Sequence, residues 1–259
     1  MPIITLTTDL GTSDYYVGAV KGAILSQLED VQIVDISHEV KQFDITQAAF
    51  MIKNSFRDFP KGSVHILGVR PQQTAQIAHV VVKYEDHYFV GADNGIFSLF
   101  LDASPQKVIR LDIISDSDSD TFPSRDVFAK AACHLARGGA PEVIGKPANT
   151  LNQSSTPRPV VDDGLIRGSI IYIDSYGNAV SNISKAQFKE VGKSRPFQIN
   201  FRMPGYEIKE ISKSYLDVIP GERLALFGSA GLLQIAINSG HASNLLGLEN
   251  GSSISIQFI

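Results

Sequence analysis

Cysteine is nearly absent: Cys133 is the single one among 259 residues, so no intrachain disulfide can form. It sits in the helical run Val127 to Leu135, where a buried packing role suits it better than nucleophilic chemistry. Long hydrophobic runs are missing too. None approaches the roughly 18 to 20 residues that a spanning helix needs, and the amino terminus has no charged region followed by a signal-like apolar core. A cytoplasmic protein with no membrane partner is expected. Positive charge is not in excess either. The 23 basic and 27 acidic residues, net −4, leave no basic stripe for a phosphate backbone, so nucleic acid is not an expected partner. What is present is an apolar fraction of 43%, ample for the core of one large domain or two modest ones.

From residue 3 to about 146, short β-type runs alternate with helical patterns. The runs are Ile3 to Leu6, Val31 to Val34, Ser63 to Val69, His79 to Tyr84, His87 to Val90 and Lys107 to Leu111. Helices are expected over Tyr16 to Gln27, Ile45 to Asn54 and Val127 to Ala136, with Asp44 and Ser124 as caps. Such alternation predicts an α/β fold with a mainly parallel sheet flanked by helices. Lys146 to Asp163 then changes character, carrying Pro147, Pro157 and Pro159 among Asn, Ser and Thr, and reads as a linker. Beyond it lie the β runs Leu165 to Ile173, Pro196 to Phe201, Tyr206 to Ile211, Arg223 to Phe227 and Ser253 to Phe258, with almost no helix between them. The expected division is an α/β domain over 1–150 and a smaller antiparallel β-barrel domain over 163–259. Ser115 to Asp120 alternates Asp and Ser but lacks the Gly and terminal Glu of a calcium loop, so it reads as a solvated acidic loop. No cofactor and no metal are called for.

The segment Thr5 to Lys21 carries the most chemistry. A β-type run ends in Asp9-Leu10-Gly11 and leads at once into an amphipathic helix, with Thr12 or Ser13 available to cap it. A carboxylate is thereby placed at the carboxyl end of a first strand, where open α/β sheets bind ligands. Such a group accepts two hydrogen bonds well, as the vicinal hydroxyls of a ribose require. Asp9 as part of a capped turn is the competing reading.

Further segments bear on this. They are Asp14-Tyr15-Tyr16-Val17-Gly18; Ile33 to Val40, containing Asp35-Ile36-Ser37-His38; Gly91-Ala92-Asp93-Asn94-Gly95; Thr121 to Ala129; Asp174-Ser175-Tyr176-Gly177-Asn178 with Ser181-Asn182-Ile183; and Gly228 to Ala236. Alone, each has a plain structural reading. Asp-x-Tyr-Gly-Asn makes a good turn between strands, Asp93-Asn94-Gly95 a hairpin-type turn, His38 a satisfied structural histidine, and Arg125-Asp126 a local ion pair at a helix start.

In this order, together with the opening Thr7-Thr8-Asp9-Leu10-Gly11, they resemble one family: the S-adenosylmethionine (SAM) hydroxide adenosyltransferases, relatives of the SAM-dependent fluorinase and chlorinase. The resemblance spans nearly the whole chain. It implies an amino-terminal α/β domain, a carboxy-terminal β-barrel and a homotrimer, with SAM, adenosine or a related nucleoside held between subunits. It also implies that Asp9 grips the ribose diol, that Asp174, Tyr176 and Asn178 hold the methionine end, and that Ser229 meets the methionine carboxylate and the adenine.

The chain departs from the family where the chemistry is done. In the hydroxide-transferring branch an Asp, an Arg and a His surround the attacking water. The Val-Asp-Pro-Gly-Val-Gly stretch and its following arginines align with Val69 to Ala78, so Arg70 replaces the Asp and Ile77 or Ala78 the Arg, while Pro123 replaces the His. Ser124 occupies the position of a fluorinase serine that helps bind halide, and Gln73 that of its supporting threonine. Ser124 and Arg70 are thus the candidate catalytic residues, with Gln73 at the substrate. An inward Arg70 opposes a sulfonium, because like charges about 4 Å apart repel by about 4 kcal/mol at an effective dielectric near 20. It favours a nucleoside phosphate instead; an outward or paired Arg70 does neither. Three readings follow: a SAM hydrolase forming adenosine through substituted groups, a catalytically silent binder of an adenosyl ligand, and a structural trimer with an empty pocket.

Overall fold

Branched and aromatic residues at alternate positions give the first half of the chain strands with two buried faces. The computed structural model describes residues 1–114, 120–201 and 205–259. Of the acidic loop expected over Ser115 to Asp120, residues 115–119 lie outside the described residues, and Asp120 is exposed. The chain divides into two units, Met1–Thr156 and Pro157–Ile259, at a point inside the proline-bearing stretch Lys146 to Asp163.

In the first unit the elements are β1 (Ile3–Thr8), α1 (Tyr16–Leu25), β2 (Gln32–Ser37), α2 (Ile45–Lys53), β3 (Val64–Gly68), β4 (His79–Tyr84), β5 (His87–Ala92), α3 (Ile96–Phe100), β6 (Lys107–Leu111), α4 (Ala129–Ala136) and β7 (Gly145–Pro147). The sheet order is β2-β1-β3-β5-β4-β6-β7. Strands β2, β1, β3 and β5 are parallel to one another, and β4, β6 and β7 extend the sheet by antiparallel pairing. The reversal at β4 comes from the two-residue turn Glu85-Asp86, both residues at positive φ (48° and 64°), which suits the right-handed twist of a tight hairpin. Alternation sorts the side chains. Val81 and Val90 join Val20 and Ile24 of α1 and Ala131, Ala132 and Leu135 of α4 in one layer. Val80, Val82 and Phe89 join Ala48 and Ile52 of α2 and Phe97 and Phe100 of α3 in the other. Each fully buried Ile or Phe contributes roughly 1.5–3 kcal/mol relative to exposure, which holds the short helices in place.

Two helix starts differ from expectation. Asp44 caps α2, accepting from the N–H groups of Thr46 and Gln47 at 3.0 and 2.9 Å. At α1, however, neither Thr12 nor Ser13 caps: Tyr15 holds the cap position without a side-chain bond, and Thr12 donates instead to Glu39 Oε1 at 2.9 Å. Ser124 is not a cap either. Pro123 occupies that position, and Ser124–Phe128 form a π-helical turn running directly into α4. The Asp93-Asn94-Gly95 segment is no hairpin turn. It links β5 to α3, with Gly95 at φ +99° in the cap position.

The second unit contains β8 (Val160–Asp162), β9 (Leu165–Ile173), β10 (Ala179–Ser184), α5 (Lys185–Gly192), β11 (Phe197–Phe201), β12 (Arg223–Phe227), β13 (Leu232–Ile237), α6 (Ala242–Leu246) and β14 (Ser253–Phe258). All its ladders are antiparallel, in the order β11-β14-β9-β10-β13-β12, with β8 against β9. Strand β9 serves both halves, pairing with β14 over Leu165 to Ser169 and with β10 over Ile170 to Ile173. Instead of a closed barrel the strands form a curled half-barrel. Among the described residues no ladder joins edge strands β11 and β12. The segment between them bridges the gap: Ile208 pairs with Ile199 and Ser212 N–H donates to Ala225 O at 2.8 Å. The strand expected over Tyr206 to Ile211 is thus reduced to one bridge, after Gly205 at φ +86°. More helix is present than expected. Helix α5 starts on a capping box in which Ser184 and Gln187 exchange bonds with each other's backbone.

Candidate functional site

Parallel strands deliver their carboxyl ends to one edge, and in the first unit that edge collects Thr8-Asp9, Ser37-His38, Gly68-Val69-Arg70 and Ala92-Asp93-Asn94. Asp9 follows β1, half-buried, and its Oδ2 accepts the N–H of Phe43 at 2.9 Å. Its Oδ1 has no hydrogen-bond partner among the described residues. Phe43, whose N–H meets Asp9, is held at φ 67°, costly for a bulky residue, and is 64% exposed. Gly11, at φ +68°, makes the reversal after Asp9 and donates to His38 O at 2.8 Å.

His38 is buried, with Thr8 Oγ1 2.7 Å from Nδ1; Asp35 Oδ1 lies 3.1 Å from Nε2, but Nε2 makes no well-formed hydrogen bond among the described residues. Burial works to raise the Asp35 carboxyl, but bonds from Lys21 and His38 outweigh it and hold the group below the usual range. The expected satisfied structural histidine is therefore satisfied at Nδ1 alone, with Nε2 left facing the Asp35 carboxylate. Asp93 is spent as well, accepting the Asn152 N–H on both oxygens.

At the end of β3, backbone and side chain approach closely at Gly68. A Cβ there would lie 2.8 Å from Ser124 Oγ and 3.1 Å from Thr8 Cγ2, so glycine is needed for the π-helical turn to reach the strand edge. Ser124 Oγ is buried and has no hydrogen-bond partner among the described residues, like Thr7 Oγ1. An unsatisfied buried hydroxyl costs about 1–3 kcal/mol and marks a place for a small polar guest. The neighbouring Arg125 and Asp126 form the ion pair expected of them, Nε to Oδ1 at 2.5 Å.

Arg70 and Gln73 separate. Arg70 is exposed, at φ 46°, and borders none of the described cavities; Asn94 Nδ2 caps the carbonyls of Val69 and Arg70 at 3.1 and 3.0 Å. Gln73 lines a cavity of about 410 Å³ with Thr74, His79, Pro123, Asp120 and Asp126.

In the second unit the turn between β9 and β10 holds Asp174, Tyr176 and Asn178. Asp174 Oδ1 accepts from the N–H groups of Tyr176 and Asn178 at 3.0 and 2.8 Å, and Oδ2 from Asn178 Nδ2 at 2.9 Å. Gly177, at φ +77°, completes the reversal. Asn178 is buried and Tyr176 is exposed. The Gly228-to-Gly231 turn between β12 and β13 presents Ser229, and the two turns face a cavity of about 660 Å³ that Tyr215 and His241 also border. Burial and the Asp174 charge push the Tyr215 phenol up; its hydroxyl donates to Gln234 Oε1 at 3.0 Å. A larger hollow of about 780 Å³ over Arg167, Asn200 and Glu249 contains none of the expected residues.

Sequence reasoning missed Phe43, His79 and the π-helical turn. No motif marks the first two: Phe43 is an ordinary aromatic before a cap, and His79 an ordinary strand residue. A π turn has no sequence signature beyond the helix that it interrupts. Cys133 is buried, as expected, and its thiol is pushed up by burial.

Residues 4–145 match the family model described as SAM hydroxide adenosyltransferase N-terminal domain. Residues 168–255 match its C-terminal counterpart. The chain is similar to a protein of Methanocaldococcus jannaschii named (R)-S-adenosyl-L-methionine hydrolase, 31% identical over 99% of this chain and 96% of that protein. It is 26% identical to a fluorinase of Nocardia brasiliensis, across 99% of this chain and 97% of the relative. The crystal structure of an uncharacterized conserved protein from Thermotoga maritima superposes with a TM-score of 0.89 at 29% identity, covering 98% and 99% of the two chains. With both family domains matched in sequence order, the chain belongs to the SAM hydroxide adenosyltransferase family.

Proposed function

We propose that the protein binds SAM and cleaves it with water to adenosine and methionine, slowly compared with a site that keeps Asp, Arg and His around the water. Asp9 takes the ribose hydroxyls, and Asp174, Tyr176, Asn178 and Ser229 take the methionine end and the adenine. A homotrimer is part of the same proposal, because the family's pocket draws on two subunits; light scattering showing a monomer at micromolar concentration counts against it.

The observation that carries this reading is the open Oδ1 of Asp9 on the strand edge that also holds the unpartnered Ser124 hydroxyl. A carboxylate with a free oxygen accepts from a diol, and a buried hydroxyl with no partner can hold a small nucleophile. The reaction asks little more of the protein. Methionine leaves as a neutral thioether, so no general acid is required, and the work is alignment and partial desolvation of the nucleophile. Arg70, Ile77 and Pro123 stand where the family would place its water-handling groups, which supports slow turnover. The exposure of Arg70 supports a site whose sulfonium is not opposed by a guanidinium.

Calorimetry with adenosine and SAM, together with chromatography of adenosine released over hours, tests the proposal. Binding with slow release is expected. Binding without release supports the silent binder, and absence of binding removes the site.

A further inference from the structure

The cavity beside Pro123 contains one imidazole among the described residues, that of His79, the first residue of β4. His79 is 5% exposed. Its Nε2 lies 2.8 Å from the carbonyl oxygen of Pro71, which only accepts, so Nε2 carries the hydrogen and Nδ1 bears the lone pair. Nδ1 has no hydrogen-bond partner among the described residues, and it is not among the sealed, unpartnered atoms of the interior. The ring stands edge-on to Phe128, centroids 4.9 Å apart at 83°. Phe128 closes the π-helical turn that Ser124 opens, so the imidazole plane is fixed from the same turn that presents the unpartnered hydroxyl. Asp120 and Asp126 border the cavity, and no lysine or arginine does among the described residues. Burial lowers the imidazole below its ordinary value, while the Pro71 carbonyl and the Asp120 charge work to raise it. His79 is therefore neutral at pH 7 and able to take a proton.

We propose that His79 Nδ1 is the general base for the attacking water in this chain. The inference rests on the reading of the site as one that cleaves SAM with water. In the step, the water oxygen bonds to the ribose 5′ carbon and the bond from that carbon to sulfur breaks. Its electron pair goes to the sulfur, and methionine departs as the thioether. The water proton passes to Nδ1, and the imidazolium, stabilised by Asp120, returns it to solvent. SAM and water become adenosine, methionine and one proton. Gln73 and Thr74, which line the same cavity, supply the donors and acceptors that orient the water.

The test compares adenosine release from pH 5 to 9 for the unmodified protein and His79→Gln, which keeps a donor toward Pro71 but has no basic nitrogen. The unmodified rate should fall on acidification through an ionisation below about 6.5. The variant should be slower by about a hundredfold to ten-thousandfold, lose that acid limb and bind adenosine within about twofold of the original. An unchanged rate and profile in the variant overturns the proposal while leaving the SAM site intact. Unmodified protein that binds adenosine yet releases none also overturns it. Lack of adenosine binding by the unmodified protein removes the site reading itself, and the proposal with it. Should His79→Gln fold poorly, nitrogen-15 NMR of the unmodified protein decides. An Nδ1 that titrates with the kinetic limb supports the proposal, and an Nδ1 that carries hydrogen throughout overturns it.

Discussion

Asp9 and Asp174 each close a strand, β1 in the first unit and β9 in the second, yet one carboxylate accepts a single bond and the other three. Among the described residues Asp9 receives only the Phe43 N–H, whereas Asp174 gathers two backbone N–H groups and the Asn178 amide within its own turn. A carboxylate has about four acceptor positions, so Asp9 retains most of its capacity for a ligand and Asp174 little of it. The family role and the turn role are therefore not alternatives at Asp174. Its first task is to hold the loop that presents Tyr176 and Asn178. The histidines divide in the same way: the first unit buries His38, His65, His79 and His87, while the second has only the exposed His241.

The largest expected effect exploits the histidines. His65 lies between Thr5 Oγ1, 2.7 Å from Nδ1, and His87 Nδ1, 3.1 Å from Nε2, stacked on Phe89. Burial and then the His87 charge push it down to about 3. The unfolded chain takes up this proton near pH 6.5 and the folded chain only near 3. Stability of the first unit is thus full above about 6.5 and falls as pH drops toward about 3, by about 3 kcal/mol at pH 4. Hydrogen exchange read by mass spectrometry in each unit, at neutral and acidic pH, checks this; equal acid sensitivity of the two units breaks the comparison.

Next is Asp174→Ala, which should cost the second unit about 2–3 kcal/mol, three accepted bonds at about 1 kcal/mol each. Urea unfolding measures it, and a loss below about 0.5 kcal/mol would return Asp174 to a ligand role alone. Asp9→Ala should show the reverse profile. Stability should change by under about 1 kcal/mol, while adenosine affinity weakens by about 1–3 kcal/mol as two hydroxyl bonds are lost. Equal affinity in calorimetry would take Asp9 out of the site. The smallest effect is expected at Arg70→Asp, because Arg70 is exposed and away from the cavities. SAM affinity should stay within about twofold; a tenfold gain, about 1.4 kcal/mol, would show that the guanidinium reaches the sulfonium.

Where local pattern and tertiary context agree, the sequence was enough. Strands β4, β6, β9, β12 and β14 run over the residues that branched and aromatic content marks. Strands β10 and β13 were hidden inside segments read for their chemistry. Helix α5 was announced by Ser184 and Gln187, three apart, and could have been read from that spacing. The antiparallel entry of β4 and the π-helical turn were not legible, since both are settled by what packs against them. The same holds for the site. Asp9 and Asp174 were singled out as candidates by position, and they do follow β1 and β9, but the open nitrogen of His79 depends on the Pro71 carbonyl, eight residues away in sequence and set by the loop's path.

The pairing of β14 has a kinetic consequence. This strand lies between β11 and β9, although both precede it in the chain. Its contact with β9 joins Ser253 to Ser169, a closure that must overcome the entropy of a long intervening loop before any pairing energy is gained. As the polypeptide emerges during synthesis, the first unit can complete its sheet from residues already made. The second must leave β9 and β11 unpaired along facing edges until the strand that separates them arrives. Those waiting edges are where self-association would begin, and the charged side chain of Arg167 on β9 and the polar Asn200 and Gln198 on β11 stand along them.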